Sequence, residues 1–336
     1  MTEEMSTALY GRRLSLKIVC NPAAGAATGD VVVVEQDGFE PDPIRVVFDI
    51  NYPGFEAFFI SEISLYNLTE ALEEKLITEG SAVYLSAGYQ KGQFGKIFSG
   101  YVLQSLYERE GVVDYKLTLR CIDGYKMFHD NFAAFTLNKG YTQQTLVNQI
   151  ASRSINKIPI KSMTDKLEQL GYPRGATGFS TPASLLRETL RWGGVEKASN
   201  TQMFFTDNEL NIGKLVDQTE GIVVVSPGAG GLIGTPQQID YGVSFRCLLN
   251  PQLILKHPPI AVKIDQSGAR QLKAQYTKAM SQLDQDGLYR VIGVRHIGDT
   301  RGNAWYTDVT GVNVGGKVST GLYVPSMLPD ITVSGT

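Results

Sequence analysis

The chain has 336 residues, of which 43% are hydrophobic and 19% charged, with a formal net charge of −3. The length predicts two or three domains, and the apolar fraction excludes a disordered chain. No Lys/Arg run marks a phosphate-tracking face, and 35 Gly with 14 Pro favour a turn-rich β protein over a helix bundle.

The N-terminus, MTEEMSTALYGRRL, is acidic and lacks an apolar core, so it is not read as a secretory signal. No apolar run approaches the ~20 residues that span a bilayer. The expectation is a soluble protein made in the cytoplasm. The first part of the chain, residues 1–130, reads as strands. Val31–Val34 is a short apolar run after the turn-prone NPAAGAATGD. Ile44–Ile50 places Ile44, Val46, Phe48 and Ile50 on one face. Ala82–Leu85 and Ile97–Leu106 follow. Val113–Cys121 has the clearest period of two, with Val113, Tyr115, Leu117, Leu119 and Cys121 on one side and Asp114, Lys116, Thr118 and Arg120 on the other. Such alternation marks strands with one dry and one wet face, and several together predict a barrel or sandwich. One helix interrupts them in YNLTEALEEKLI. There Asn67 or Thr69 can cap, Glu70 and Glu73 suit the positive end, and Leu68, Leu72 and Leu76 form the stripe.

Residues 131–235 change character and read as a small α+β module. Thr142–Arg153 carries Leu146, Val147, Ile150 and Ala151 at helical spacing. Thr181–Trp192 is a second helix, capped by Ser180 or Thr181, with Pro182 in the first turn and Gly193-Gly194 as the stop. MFFTDNELNIGK, from Met203 to Lys214, predicts a hairpin around Asp207-Asn208. Residues 236–336 return to strands: Val243–Leu249, Ile260–Asp265, Tyr289–His296 and Ala304–Val312. Lys273–Leu283 reads as a long loop or hairpin tip.

No motif selects an enzyme. GIVVVSPGAGGLIGTP, residues 221–236, runs an apolar strand into a glycine-rich turn. Gly228, Gly230, Gly231 and Gly234 nevertheless miss the GxGxxG spacing, and no helix start follows to hold a phosphate. It reads as a link between domains. The histidines are His129, His257 and His296, none close to another, and HExxH and GxSxG are absent. His296 with Asp299 could share a metal or a proton, but the plainer reading has Asp299 shaping a turn while His296 ends a strand. Carboxylate pairs such as Glu35/Asp37 and Glu73/Glu74 sit on polar faces. Cys20, Cys121 and Cys247 lie far apart without a CxxC pair, so they read as buried small hydrophobes in a reducing setting. The expectation is no catalytic residue, no cofactor and no metal.

Two passages resemble each other: KIFSGYVLQSLYEREGVVDYKLTLRCID from Lys96, and GLYRVIGVRHIGDTRGNAWYTDVTGVN from Gly287. Each runs strand, charged tip, Gly, then a second strand. Gly111 and Tyr115 fall on Gly302 and Tyr306 at one offset of 191 (302 − 111 = 191). The layout predicts an internal duplication around the α+β insert.

PIRVVFDINY, ISLYNLTEAL, GSAVYLSAGYQ and KIFSGYVLQSLYEREGVVDYKLTLRCIDG, in that order, resemble the first tube-like barrel of phage baseplate hub proteins. TQQTLVNQIASR, TPASLLRETLRWGG and MFFTDNELNIG are similar to that family's insert. LIGTPQQIDYGVSFRCLLNPQLI with GLYRVIGVRHIGDTRGNAWYTDVTG resembles its second barrel. Residues 158–178 and the tail after Val318 match no family segment. The resemblance implies a mainly β chain with a small α+β insert and two tail-tube-like barrels. It further implies a homotrimer forming a pseudo-sixfold ring. That ring would join the sixfold tail tube, or its initiator, to a threefold central spike, touch neighbouring baseplate proteins, and line a channel of acidic or neutral charge through which genomic DNA passes unbound. Such a protein belongs to the virion tail baseplate and is assembled in the host cytoplasm. A hub of a related contractile injection or type VI secretion system shares the fold. The chain stops at Thr336 without a fused spike, which favours the phage version. Rivals are a tail-associated cell-wall-binding or degrading protein, with a carboxylate cleft or a metal, and a carbohydrate-binding sandwich with exposed aromatics. Against the last, Trp192 and Trp305 both lie in patterns that read as buried.

Overall fold

The computed structural model describes residues 11–21, 29–37, 44–53, 59–125, 131–165, 167, 169–191, 201–214, 217–239, 242–264 and 287–313. The chain is mainly β. The first half runs β1 (Arg12–Val19), β2 (Val31–Asp37), β3 (Val46–Tyr52), β4 (Ile60–Tyr66), α1 (Glu70–Leu76), β5 (Ala82–Tyr89), β6 (Phe94–Glu110) and β7 (Asp114–Ile122). The insert holds β8 (Ala133–Leu137), α2 (Gln143–Arg153), β9 (Ile160–Met163), β10 (Ala176–Ser180), α3 (Pro182–Arg191), β11 (Thr201–Thr206) and β12 (Glu209–Lys214). The second half has β13 (Ile222–Val225), β14 (Leu232–Ile239), β15 (Gly242–Leu248), β16 (Ala261–Ile264), β17 (Leu288–Asp299) and β18 (Trp305–Asn313).

Strands from both halves form one 13-stranded sheet ordered β14-β15-β18-β17-β3-β4-β7-β6-β5-β1-β2, with β16 and β13 branching from β17. The duplication is visible in this order. The first half pairs β3-β4-β7-β6-β5, and the second pairs β14-β15-β18-β17-β16, every pair antiparallel. Both sets thus use their five strands in the same spatial sequence. Adding 191 to Asp114–Ile122 gives Trp305–Asn313, which are the limits of β7 and β18. Both hairpins also carry a one-residue bulge, between Val102 and Gln104 and between Val291 and Gly293. A bulge bends and twists a long strand, as a curled sheet requires.

Three apolar clusters fill the fold. The first lies in the first half and includes Leu14, Leu16, Phe48, Ile63, Leu85, Leu117 and Leu119. The second, in the insert, packs Val147, Ile150, Leu186 and Ile212. The third gathers Val243, Phe245, Val262, Tyr289 and Val309. Trp305, from the second half, enters the first cluster. There it stands edge-on to Phe48 at 5.4 Å and donates its indole N–H to the Gly88 carbonyl on β5 at 3.2 Å. Arg12 of β1 donates to the carbonyls of Asp299 and Gly302 at the β17–β18 tip. The first half thus curls until its β1/β5 side meets that tip, and side-chain bonds make the closure.

The Asp207-Asn208 hairpin forms as its sequence predicts, with φ of 63° and 62° at the two turn residues, the left-handed pair that a two-residue turn needs. Thr181 accepts from the Ser184 N–H as one of its two expected caps, and Thr142, for which no cap was predicted, accepts from the Thr145 N–H. The helix stop at Gly193-Gly194 and the Lys273–Leu283 loop lie outside the described residues.

Several elements differ from expectation. Thr69 stands at the α1 N-cap position but its side chain makes no cap bond. Asn67 instead accepts from the Tyr115 N–H and donates to Asp114, tying the start of the helix to the β6–β7 hairpin. Val113 and Tyr115 were expected on the dry face of β7, yet they are 76% and 41% exposed. The hairpin runs past the core, so only Leu117, Leu119 and Cys121 are covered. The segment 221–236 is no link: β13 pairs parallel with β16, and β14 pairs with β15. Gly231, at φ 74°, makes the corner between them. Strands β1, β4, β8, β9 and β10 lie beyond those predicted. In β1 the alternation of Leu14, Leu16 and Ile18 is as regular as that in β7.

Candidate functional site

The surface most distinctive of this chain is a row of charges on one face of the sheet. Arg246 on β15 stands opposite Asp308 on β18, and Asp308 stands opposite Arg295 on β17. Arg295 reaches Asp49 on β3, which faces Glu62 on β4, which faces Arg120 on β7. The ion pairs are Arg246–Asp308 at 2.6 Å, Arg295–Asp49, and Arg120–Glu62 at 3.1 Å. Three arginines meet three carboxylates across six adjacent strands. Carboxylate contacts raise the Arg246 and Arg295 guanidinium pKa values, so each cation is held by its neighbour. Each pair is partly exposed and adds little stability in water. Above the second-half part of the row lies a concavity of about 610 Å³, bordered by Arg246, Arg295, Asp308, Asn51, Gln237 and Thr310.

Two buried polar joints tie the insert to the halves on either side. At the end of β7, Asp123 accepts from the backbone N–H groups of Asp207 and Asn208, at 3.1 and 2.7 Å, in the β11–β12 turn. Asn208 returns a bond by accepting from the Gly124 N–H. Burial lifts the Asp123 pKa to about 7, against the pull of those backbone donors. Asp207 in turn holds Lys96 from β6 and Lys161 from β9.

The other joint centres on His257. Its Nε2 lies 2.9 Å from Asp217 Oδ2, and its Nδ1 lies 2.6 Å from Ser162 Oγ on β9. A carboxylate only accepts, so Nε2 carries a proton toward Asp217, and in the neutral imidazole Ser162 donates to Nδ1. Asp217 also accepts from Thr164 Oγ1 and the Lys214 N–H, while its carbonyl accepts from Arg290 on β17. Ser162, His257 and Asp217 thus form the hydrogen-bond chain of a serine nucleophile with its base. The space beside His257 is about 20 Å³, room for one water. Gly213 closes against the imidazole, since a Cβ there would meet His257 at 2.6 Å. Sequence reasoning missed this group because its members lie 40 and 95 positions apart.

The residues weighed from sequence separate. His296 is fully buried, with Nδ1 2.9 Å from Thr307 Oγ1. Thr307 Oγ1 also accepts from the Asn250 N–H. Burial drops the His296 pKa to about 3. Asp299 instead forms a bidentate pair with Arg45 of the first half, at 3.1 and 2.6 Å, and accepts from the Arg301 N–H. Burial acts to raise its pKa, but Arg45 and the turn N–H groups pull it below the ordinary value. The two share no site. Glu35 takes the Ser15 hydroxyl and Asp37 pairs with Arg13 on the surface. Cys20, Cys121 and Cys247 are buried and free, and burial raises each thiol pKa. His129 and Trp192 lie outside the described residues, and Trp305 is buried. Among the described residues no cluster of His, Cys, Asp and Glu has a metal-holding arrangement, and no helix is long and apolar enough to cross a membrane.

No protein-family model matches the chain, and no curated protein does. Solved structures do. A 43 kDa tail protein of prophage MuSo2 from Shewanella oneidensis superposes with a TM-score of 0.50 at 10% identity, over 90% of this chain and 97% of that one. The E. coli c3393 protein superposes with a TM-score of 0.51 at 9% identity, over 85% of this chain and 78% of its own. That protein is described as a component of the type VI secretion system, structurally similar to the T4 bacteriophage tail proteins gp27 and gp5. In fold, this chain stands with phage tail proteins and their type VI secretion counterpart.

Proposed function

We propose that this chain is a structural hub of a phage tail baseplate. Three copies form a ring of six barrels, seated between a sixfold tail tube and a threefold spike. The observation that carries the reading is the five-strand set built twice in one chain. A ring joining sixfold to threefold symmetry needs six like surfaces on one side and three on the other. A duplicated barrel supplies the six. A single α+β insert per chain, with domains at 1–130, 131–235 and 236–336, supplies the three. The charged row lies on the face proposed to line the channel. Its cations are already matched by carboxylates, so passing phosphates find no free partner. The protein works in the virion tail, after assembly in the host cytoplasm, beside tube, spike and other baseplate subunits.

The role is mechanical and not enzymatic. The Ser162–His257–Asp217 group serves as a strut between the insert and the second half. A fluorophosphonate probe is expected to leave Ser162 unlabelled, and peptidoglycan release by the purified protein is expected to be nil. Labelling that is lost in Ser162→Ala would reverse that assignment. Light scattering on the protein, alone and with a threefold spike, tests the ring. The expected mass is three times 36.8 kDa, and a monomer under both conditions overturns it. The likeness to the E. coli protein favours a second reading, a hub of a type VI secretion or related injection machine, with the same ring.

A further inference from the structure

The two halves of one chain already show how neighbouring barrels join. Along β17, Leu288–Arg290 pair with β16, and Val294–Asp299 pair with β3 of the other half. The tip beyond, residues 299–303, is gripped by Arg12 and Arg45 of that half. In the duplicated order, β17 corresponds to β6 and β3 corresponds to β14. The joint therefore has a counterpart, β6 against β14, which the chain does not make with itself.

Both of those strands stand ready. β5 accompanies β6 only as far as Tyr101, and beyond Val102 β6 runs on to Glu110 with β7 as its one partner strand among the described residues. Helix α1 reaches the start of this stretch, where Ser105 donates to the Leu76 carbonyl, and Tyr107–Glu110 remain exposed. β14 is the end strand of the sheet path, with β15 as its one partner strand among the described residues. The β6–β7 tip also exposes two apolar side chains among its charges. Val112 and Val113 are 81% and 76% exposed, beside the stacked rings of Tyr107 and Tyr115.

We infer that a second copy of this chain supplies the missing joint. The Tyr107–Glu110 end of β6 pairs antiparallel with the Thr235–Ile239 end of β14 in the next copy, repeating between chains the bond β17 makes to β3 within one. The occupant is a second copy because the joint it completes already exists between the halves, in the same strand order. β6 and β14 lie at opposite ends of the band β14-β15-β18-β17-β3-β4-β7-β6, so the contact is head to tail, the kind that builds a ring when the rotation between copies closes. This rests on the hub reading and names the surface that builds the ring.

Disulfide trapping tests it. Transferring the β17–β3 register onto β6 and β14 gives two neighbouring registers, so three double variants are made in the full chain: Glu108→Cys with Gln237→Cys, Glu110→Cys with Thr235→Cys, and Glu110→Cys with Gln237→Cys. The three native cysteines are buried and give a low background. Mild oxidation is expected to give covalent dimers and trimers from at least one pair. Light scattering on each unoxidised variant reports the ring independently. A second variant, Val112→Glu with Val113→Glu, alters only exposed side chains. It is expected to leave the urea midpoint unchanged while raising at least tenfold the concentration at which trimers half-dissociate. Trimers that no pair cross-links would overturn the strand pairing and leave the hub reading standing. Cross-links that stop at two chains would overturn ring closure. Monomers at every concentration would overturn both.

Discussion

At the residue scale, two buried titratable groups act in opposite directions. Asp123 has an ordinary pKa of 3.8 and a folded one of about 7. Between those values the folded chain holds one more proton, and stability falls as pH rises. His296 has an ordinary pKa of 6.5 and a folded one of about 3. In that window the unfolded chain holds the extra proton, and stability rises with pH. The two slopes offset each other between roughly pH 4 and 6.5. Asp123→Asn should uncover the histidine slope, a loss of about 1.4 kcal/mol for each pH unit of acidification. Urea titrations at several pH values would show it, and a flat profile in the variant would refute the assignment. Trp305→Phe keeps a ring against Phe48 but abandons the Gly88 carbonyl, so it should cost about 1 kcal/mol. Trp305→Ala should cost about 3–5 kcal/mol in the same denaturation assay.

At the scale of elements, the β11–β12 turn separates two effects. Asn208→Gly keeps the left-handed backbone and loses only the bond to the Gly124 N–H. Asn208→Ala loses that bond and adds about 1 kcal/mol of backbone strain. Thermal melts should rank wild type, Gly and Ala in that order of falling stability. This turn was legible because Asp207-Asn208 states its own geometry locally. The same holds for Val46, Phe48 and Ile50, whose alternation alone marks the buried face of β3, and for the Thr181 cap. The segment 221–236 was not legible. Its glycines read as slack, whereas β13 and β14 depend on partners that lie later in the chain, β16 and β15. Asp123 and His257 were hidden for the same reason, since a buried carboxylate or imidazole is recognisable only once distant residues surround it. The 191-residue offset was read from two matching residues, and the strand order and shared bulges supply its physical content.

At the scale of the whole molecule, the β17–β3 joint carries the relation between the halves. Gly298 lies on β17 directly opposite Phe48 of β3, and a Cβ there would meet that ring at 2.2 Å. Gly298→Val should therefore cost about 3 kcal/mol by overpacking and broaden denaturation into two steps as the halves uncouple. A single sharp transition at the wild-type midpoint would show that the joint tolerates the methyl groups. The nearby Arg295–Asp49 pair is half-exposed, and a double-mutant cycle should assign it no more than about 1 kcal/mol.

That joint also bears on how the proposed ring of six barrels would assemble from dilute protein. Linking two barrels in one chain makes every second seam an intramolecular event, formed at the high effective concentration of tethered partners. Three chains then need only two diffusional encounters, since the last seam closes within the assembled set. The concentration of complete rings should vary with the third power of the free chain concentration, where six separate barrels would follow the sixth. On the proposed reading, a cell holding few copies of the chain would therefore complete rings at expression levels where an unlinked set would stay in pieces.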